Sequence, residues 1–345
     1  MIRGAALGAA LVLGAAAQPG LAADISGAGA TFPYPVYAKW AEAYKGQTGT
    51  GINYQSIGSG GGIEQIEKGT VTFGASDKPL EPADLAKNGL VQWPQIIGGV
   101  VPVVNIPGLK PGDLALDGPT LAAIYLGDVT RWNDPAIQKL NPTLKLPKLD
   151  IAPVSRSDGS GTNFLFTTYL STVSPKFKQQ IGANTSVQWP VGIGAKGNEG
   201  VANQTTQTGG AIGYVEYAYV KQTKMTYARL ANHDGKIVAP EAKAFQAAAA
   251  NADWAKAAGY YLILTDQPGA ASWPITGASF ILVHADSKDA NVVSALKFFD
   301  WGYKNGTKLA EDLDYVPLPD KVIGQIEKTW ADSLKVNGKP AWPAK

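Results

Sequence analysis

The chain has no cysteine, and of its 345 residues only two are histidine (His233 and His284) and two methionine. Zinc, haem and iron–sulfur centres draw on thiolate and imidazole, so these centres and thiol catalysis are excluded, and no metal or other cofactor is expected. Disulfides are excluded too, which leaves core burial to supply stability. Neither charge predominates: 30 Lys and Arg face 28 Asp and Glu, so a nucleic-acid partner held by bulk positive charge is excluded. A hydrophobic content of 45% and the lack of any short-period repeat rule out a disordered or fibrous chain. No GxxxxGK[ST] run is present to support nucleotide hydrolysis.

What is there begins with MIRGAALGAALVLGAAAQPGLAA: a basic Arg3, an apolar run from Ala5 to Ala17, a Pro19-Gly20 break, then small residues to Ala23. That order is the pattern of a secretory signal peptide over 1–23, and the run is short of the roughly 20 apolar residues of a spanning helix. Cleavage is expected after Ala22 or Ala23, with no cysteine there for lipid attachment and the periplasm as destination. Beyond Asp24, β-branched runs alternate with helical patterns, an α/β signature, and the length suggests about two domains at roughly 150 residues each. Helical faces stand at Val36, Trp40 and Tyr44, at Val292, Leu296, Phe299 and Tyr303, and at Val322, Ile326, Trp330 and Leu334. Strands are predicted at 52–55, 71–75, 96–106 with a break at Gly98-Gly99, 151–154, 211–217 and 279–284. The stretch 105–147 is predicted to hold one short helix near Leu121–Leu126 and then loop, and the alanine run 247–250 to be helix surface.

Glycine numbers 40 and proline 23, and four glycine motifs stand where a strand or coil should meet a helix. They are GAGATF (Gly27 to Phe32), GSGGG (Gly58 to Gly62), GASD (Gly74 to Asp77) and RSDGSGT (Arg156 to Thr162). A helix start offers free N–H groups and a positive dipole end, and glycine lets an anion approach them. Each motif alone is more simply a cap or turn; their co-occurrence favours a ligand. In RSDGSGT, Arg156 would leave the strand end while Ser160, Gly161 and Thr162 open a helix, converging a guanidinium and several N–H groups on one point. Asp158 would hold Arg156 or form an Asx turn, and Asp77 would face the site or cap the next helix; the sequence leaves both open. Serine catalysis would need a base, and both histidines fall at a polar turn or strand end, so an enzyme is not expected.

These residues resemble the periplasmic phosphate-binding proteins of high-affinity phosphate ABC importers. Beyond the glycine motifs, the resemblance extends to FPYPVYAKWAEAY, VTFGASDKPL, IIGGVV, VNIPGL, DLALDGPTLAAIYLGDVTRWNDPAI, GTNFLFTTYL, GGAIGYVEYAY, SWPIT and LKFFDWGYKNG, in order along nearly the whole mature chain. It implies an α/β clamshell of the type II binding-protein class, with two domains joined by two hinge crossings near Gly98–Val103 and Pro274–Ser279. Domain I would be 24–99 plus 278–345 and domain II 100–277. Carried over residue by residue, the phosphate contacts fall on Thr31, Phe32, Ser59 and Asp77 from one lobe and on Arg156, Ser160, Gly161 and Thr162 from the other, with Asp158 as partner of Arg156. Gly60 and Ser155 depart from the family's usual serine and arginine.

The resemblance implies capture of inorganic phosphate by a monomer, delivery to the membrane permease subunits of an importer, and no nucleic-acid partner. Asp77 would accept the hydrogen that phosphate carries and sulfate lacks. Other oxyanions (sulfate, molybdate, arsenate), a secreted phosphatase and an adhesion role are the competing expectations, in that order.

Overall fold

The computed structural model describes residues 25–250 and 252–343, so the expected signal peptide lies outside the described residues. From the N-terminal side, β1 (Ile25–Gly29), β2 (Ile52–Ser56) and β3 (Phe73–Ser76) alternate with α1 (Tyr34–Thr48), α2 (Ser59–Glu67) and α3 (Pro82–Asn88). β4 (Leu90–Val104) leads to β5 (Ala115–Leu116), α4 (Gly118–Leu126), α5 (Pro135–Leu140), β6 (Ala152–Arg156), α6 (Gly161–Val173) and α7 (Pro175–Gln180). Then come β7 (Ile193–Ala195), α8 (Gly197–Gln207), β8 (Ala211–Glu216), α9 (Tyr217–Thr223), β9 (Thr226–Tyr227), β10 (Arg229–Ala231), β11 (Ile237–Val238) and α10 (Ala242–Ala249). The chain ends with β12 (Thr276–His284), β13 (Asp286–Ser287), α11 (Asn291–Asn305), α12 (Thr307–Glu311), α13 (Asp320–Ser333), β14 (Lys335–Val336) and β15 (Lys339–Pro340).

The main sheet runs β2-β1-β3-β12-β4-β8-β6-β7, with β9 also on β4, and its pairing changes partway along β4. Leu90 to Gly99 pair antiparallel with β12, whereas Val100 to Val104 pair with β8. One strand therefore belongs to both halves of the sheet. The predicted break at Gly98-Gly99 does not occur: the strand is continuous and begins at Leu90. The glycines make room instead, since a Cβ on Gly99 would lie 2.2 Å from the Phe245 ring and one on Gly98 3.0 Å from the Phe32 ring. Pro94 sits inside this central strand because the register slips there, Phe280 facing Pro94 while Ser279 faces Ile96, and a bulge tolerates the missing donor.

The predicted helical faces are all buried. α1 closes at Gly49 (φ 75°), whose N–H donates to the Lys45 carbonyl, a conformation glycine adopts at little cost. The Trp40 indole donates to the Gly306 carbonyl at 2.8 Å, fastening α1 to the C-terminal part of the chain. In place of disulfides, aromatic side chains knit each half. Phe299 meets Phe73 and Trp93 at ring distances of 4.9 and 6.0 Å, and Phe166 stacks on Tyr214 at 4.0 Å. Two expectations fall short. The stretch 105–147 also holds α5, begun by the Asp134 cap that receives Ala136 N–H at 2.8 Å, and Ala248 of the alanine run is buried.

Gly62 tests this packing. A Cβ there would lie 2.5 Å from Gly29 Cα and 2.7 Å from the carbonyls of Ala28 and Ala75, all backbone that cannot yield, whereas Gly324 has nothing within 4 Å. Denaturant unfolding should show Gly62→Ala losing about 1–3 kcal/mol and Gly324→Ala gaining about 0.5–1 kcal/mol.

Candidate anion-binding site

In open α/β sheets, ligands sit outside the carboxyl ends of the strands, where the loops diverge. Here β1, β3, β6 and β8 end at Gly29, Ser76, Arg156 and Glu216, and the loops that follow converge on one buried locus. From the first half come Thr31 and Phe32 ahead of α1, Ser59 at the start of α2, and Asp77 after β3, all essentially inaccessible to solvent. From the second come Arg156, Asp158, Ser160, Gly161 and Thr162, of which only Asp158 is partly exposed. All nine predicted residues are thus brought together.

Both questions left open by the sequence now have answers. Asp158 grips Arg156 through two bonds, Nε to Oδ1 at 2.8 Å and Nη2 to Oδ2 at 2.6 Å. Burial alone would raise the Asp158 carboxyl, but the bonds and charge of Arg156 and the Gly197 N–H hold it below its ordinary value. Asp77 does not cap a helix, because α3 starts at Pro82 with Glu81 ahead of it. Ser160 does cap: its Oγ receives the Asn163 N–H at 3.0 Å, which fixes the start of α6.

The halves touch through a seam of glycine. Gly60 N–H donates to Gly159 O at 2.8 Å, Gly161 N–H donates to Ser59 Oγ at 2.9 Å, and a Cβ on Gly58 would lie 2.4 Å from Asp158 Oδ2. The structure is therefore closed over the site. Consistent with closure, the cleft of about 580 Å³ beside it, lined by Tyr34, Glu199 and Tyr219, includes none of the nine residues.

Among the described residues of this locus, Arg156 Nη1, a donor, and Asp77 Oδ1, an acceptor, lack a protein partner, as do Ser279 Oγ and Glu216 Oε1 nearby. A buried polar atom left unpaired is costly, so together they describe what the site is built to receive. Burial pushes the Asp77 carboxyl up to about 7, opposed by the Ser279 hydroxyl, the Arg156 charge and Ser59. Ser279, on β12, faces Asp77 without closing a hydrogen bond of normal geometry.

Sequence reasoning missed Ser279 and Asn198. Asn198 Nδ2 donates to Thr31 Oγ1 at 2.6 Å and to Thr162 Oγ1 at 3.1 Å, joining the two halves. Its signal was a fifth glycine turn, IGAKGNEG at 193–200, between β7 and α8, which has no serine or threonine to draw attention. Ser279 lies mid-strand and carries no local signal; only the pairing of β12 with β3, Phe280 opposite Ser76, brings it to Asp77.

A profile of the PBP superfamily domain matches residues 14–305. The sheet order, the shared β4 and the closed interface are those of a type II periplasmic-binding-protein clamshell, and the chain is a member of that class. A phosphate-binding protein PstS from Pasteurella multocida is 52% identical over 323 residues, covering 93% of this chain and 94% of the relative. Its counterpart in Xylella fastidiosa is 54% identical over 312 residues, 90% of this chain and 86% of the relative. A solved high-affinity periplasmic phosphate-binding protein (PfluDING), bound with phosphate, superposes with a TM-score of 0.72 at 18% identity, covering 93% of this chain and 98% of that one. This chain belongs to the PstS family of phosphate-binding proteins.

The buried carboxyl predicts a pH dependence. Asp77 holds its proton up to about pH 7 when folded and releases it near 3.8 when unfolded, so the folded form binds more protons in between. Its contribution is complete below the unfolded value and is lost as pH rises towards the folded one. Unfolding of the ligand-free mature chain should therefore show a component of stability falling by at most about 1.4 kcal/mol per pH unit across that window. Asp77→Asn should lack this component when both curves are measured from pH 4 to 8.

Proposed function

We propose that this chain is a periplasmic receptor that captures inorganic phosphate between two lobes and hands it to the membrane permease subunits of an ABC importer, acting as a monomer and by binding alone. The lobes are 24–99 with 278–345 and 100–277, after removal of the signal peptide 1–23. The observation that carries the reading is the pairing of an unpartnered acceptor, Asp77 Oδ1, with an unpartnered guanidinium nitrogen, Arg156 Nη1, in a dry site rich in donors. Arg156 supplies charge for an oxyanion, with the hydroxyls of Thr31, Ser59, Ser160 and Thr162 and the N–H groups of the α1 and α6 starts completing its shell. A carboxyl among these donors fits an anion that retains a hydrogen. Phosphate retains one at neutral pH; sulfate has none.

Sulfate against an ionised Asp77 sets two acceptors face to face, a mismatch of the kind that discriminates by about 10⁴–10⁵ where hydrogen bonds are enforced. With its carboxyl near 7, Asp77 takes up a proton more readily as pH falls and can then donate to sulfate, so rejection should weaken in acid. Isothermal calorimetry with phosphate and sulfate at pH 5.5 and 8 should show tight phosphate binding throughout and a preference over sulfate at least tenfold larger at pH 8. Asp77→Asn should lower this preference more than it lowers phosphate affinity. Equal affinity for the two anions in the parent chain would refute the reading.

Closure has its own test. A Cβ on Gly161 would stand 2.5 Å from both Asp77 Cβ and Ser59 Oγ, across the interface between lobes and clear of the folding core. Gly161→Ala should weaken phosphate binding at least tenfold, about 1.4 kcal/mol, while the thermal midpoint of the ligand-free chain stays within a few degrees of the parent's.

A further inference from the structure

We infer that residues 253–263, which chain order places in the second lobe, form a strap that moves with the first lobe and limits how far the two can part. The chain then passes between the lobes four times: along β4, from α10 out to the strap, from the strap back, and along β12. This goes beyond the phosphate reading and amends the lobe bounds given with it.

The segments on either side of the strap belong to the second lobe or to the crossing. Before it, α10 sets Phe245 against Tyr217 of α9 at a ring distance of 5.7 Å, and the Ala244 carbonyl receives the Trp273 N–H at 3.0 Å. After it, the Asp266 N–H donates to Pro274 O at 2.8 Å, and Thr265 bridges Ile275. The Ile275 carbonyl in turn receives the Val100 N–H at 2.8 Å, beside the point where β4 changes partner. Between these two anchorages the chain leaves for the first lobe.

Four elements of that lobe hold it there. Trp254, buried, meets Phe280 of β12 at a ring distance of 6.1 Å. The turn Ala258–Tyr260 lies on α3 so closely that a Cβ on Gly259 (φ 58°) would stand 2.9 Å from Leu85 Cδ1. Gln92 of β4 is buried and donates from its amide to Leu80 O and to Gly259 O, each at 2.7 Å. The Tyr260 hydroxyl lies 2.8 Å from Thr329 Oγ1 of α13. Among the described residues, every hydrogen bond and ring contact that 253–263 makes outside itself is with the first lobe. Lifting the strap would expose two buried aromatic side chains and take an acceptor from the buried Gln92 amide, so the segment stays down while the crossing bends.

The consequence is for the open state. Two crossing strands alone leave the lobes free to bend and to twist. The strap adds two short links: Ala249, the last residue of α10, and Trp254 are five positions apart, and so are Tyr260 and Thr265. Little chain is available for the lobes to separate along any path that stretches these links. A narrower set of open states loses less conformational freedom on closing, which favours the bound form.

The lack of native cysteine lets spin labels be placed in defined pairs, and Lys87 of α3, Lys139 of α5 and Lys256 of the strap are all exposed. Pulsed dipolar spectroscopy on the three double-cysteine variants of the mature chain reads the distances. Without ligand, the 87–256 distribution should be narrow and the 139–256 distribution as broad as the 87–139 one. With saturating inorganic phosphate, 87–256 should hold within about 2 Å while the other two shift together by more than that. A fixed 139–256 distance with a moving 87–256 distance overturns the inference, because the segment would then travel with the second lobe.

Loosening the strap tests its restraint. Gly259→Ala drives a methyl group against Leu85, and Trp254→Ala removes the contact with Phe280. Each should broaden the ligand-free 87–139 distribution and weaken phosphate binding by about threefold or more, leaving the phosphate-bound 87–139 distance unchanged. Unchanged breadth and affinity in both variants overturn the restraint. Failure of the parent to bind phosphate in calorimetry overturns the functional reading instead, and the ligand-free distributions still decide the strap.

Discussion

A carboxyl group walled off from water beside a guanidinium is the constraint on which the rest of this molecule turns. Asp77 has one oxygen without a partner, and Arg156 has one nitrogen in the same condition, although Asp158 holds the other two nitrogens. The asymmetry between the two acids follows from their surroundings. Asp158 is stabilised as a carboxylate by two guanidinium bonds, whereas Asp77 is driven towards its neutral form by burial. One acid is a fixed counter-charge and the other a carboxyl of adjustable protonation. Exchanging their environments would exchange their roles.

Placing these groups in a dry site demands that two halves of a sheet meet with almost no intervening side chain. That requirement explains the glycines better than local turn geometry does. Gly58, Gly60, Gly159 and Gly161 each lie where a Cβ would strike the opposite half, at distances from 2.4 to 3.1 Å. Only Gly58 among them adopts a positive φ, 90°, so for the other three the demand is proximity. The motifs GSGGG and RSDGSGT are complementary surfaces of one seam.

The sequence made one kind of information legible and concealed another. Local signals revealed the helical faces, most strands and the four motifs, because periodicity and capping act over a few residues. Thr31, Ser59 and Arg156 stood out for that reason. Ser279 did not, since a serine within the run Ser279–His284 looks like any strand position until β12 is known to lie between β3 and β4. Asn198 was concealed in a similar way: its bonds reach Thr31, 167 positions away, and Thr162, 36 away. The misjudged break at Gly98-Gly99 belongs here as well, because what those glycines accommodate, Phe32 and Phe245, comes from distant parts of the chain.

The crossing itself shows how a chain without disulfides can be firm within its halves yet hinged between them. Gly98 faces Gly277 across the β4–β12 ladder, next to the point where β4 changes partner from β12 to β8. A Cβ on Gly277 would lie 2.2 Å from Leu165 Cδ1, and one on Gly99 equally close to the Phe245 ring. Side chains of the second half thus lie directly against bare backbone at the crossing and keep it dry, while the crossing strands put few side chains of their own between the halves. Bending there disturbs contacts with backbone and leaves the interlocked aromatic clusters around Phe299 and Phe166 whole. The cost of opening then falls mainly on the bonds that close the site: Tyr219 to the Thr31 carbonyl at 2.6 Å, Tyr315 to Glu216 at 2.8 Å, and Asn198 to Thr31. These join the same loops that carry the proposed anion contacts, so on the phosphate reading occupancy and closure draw on one set of interactions, and the free energy of one is expressed in the other.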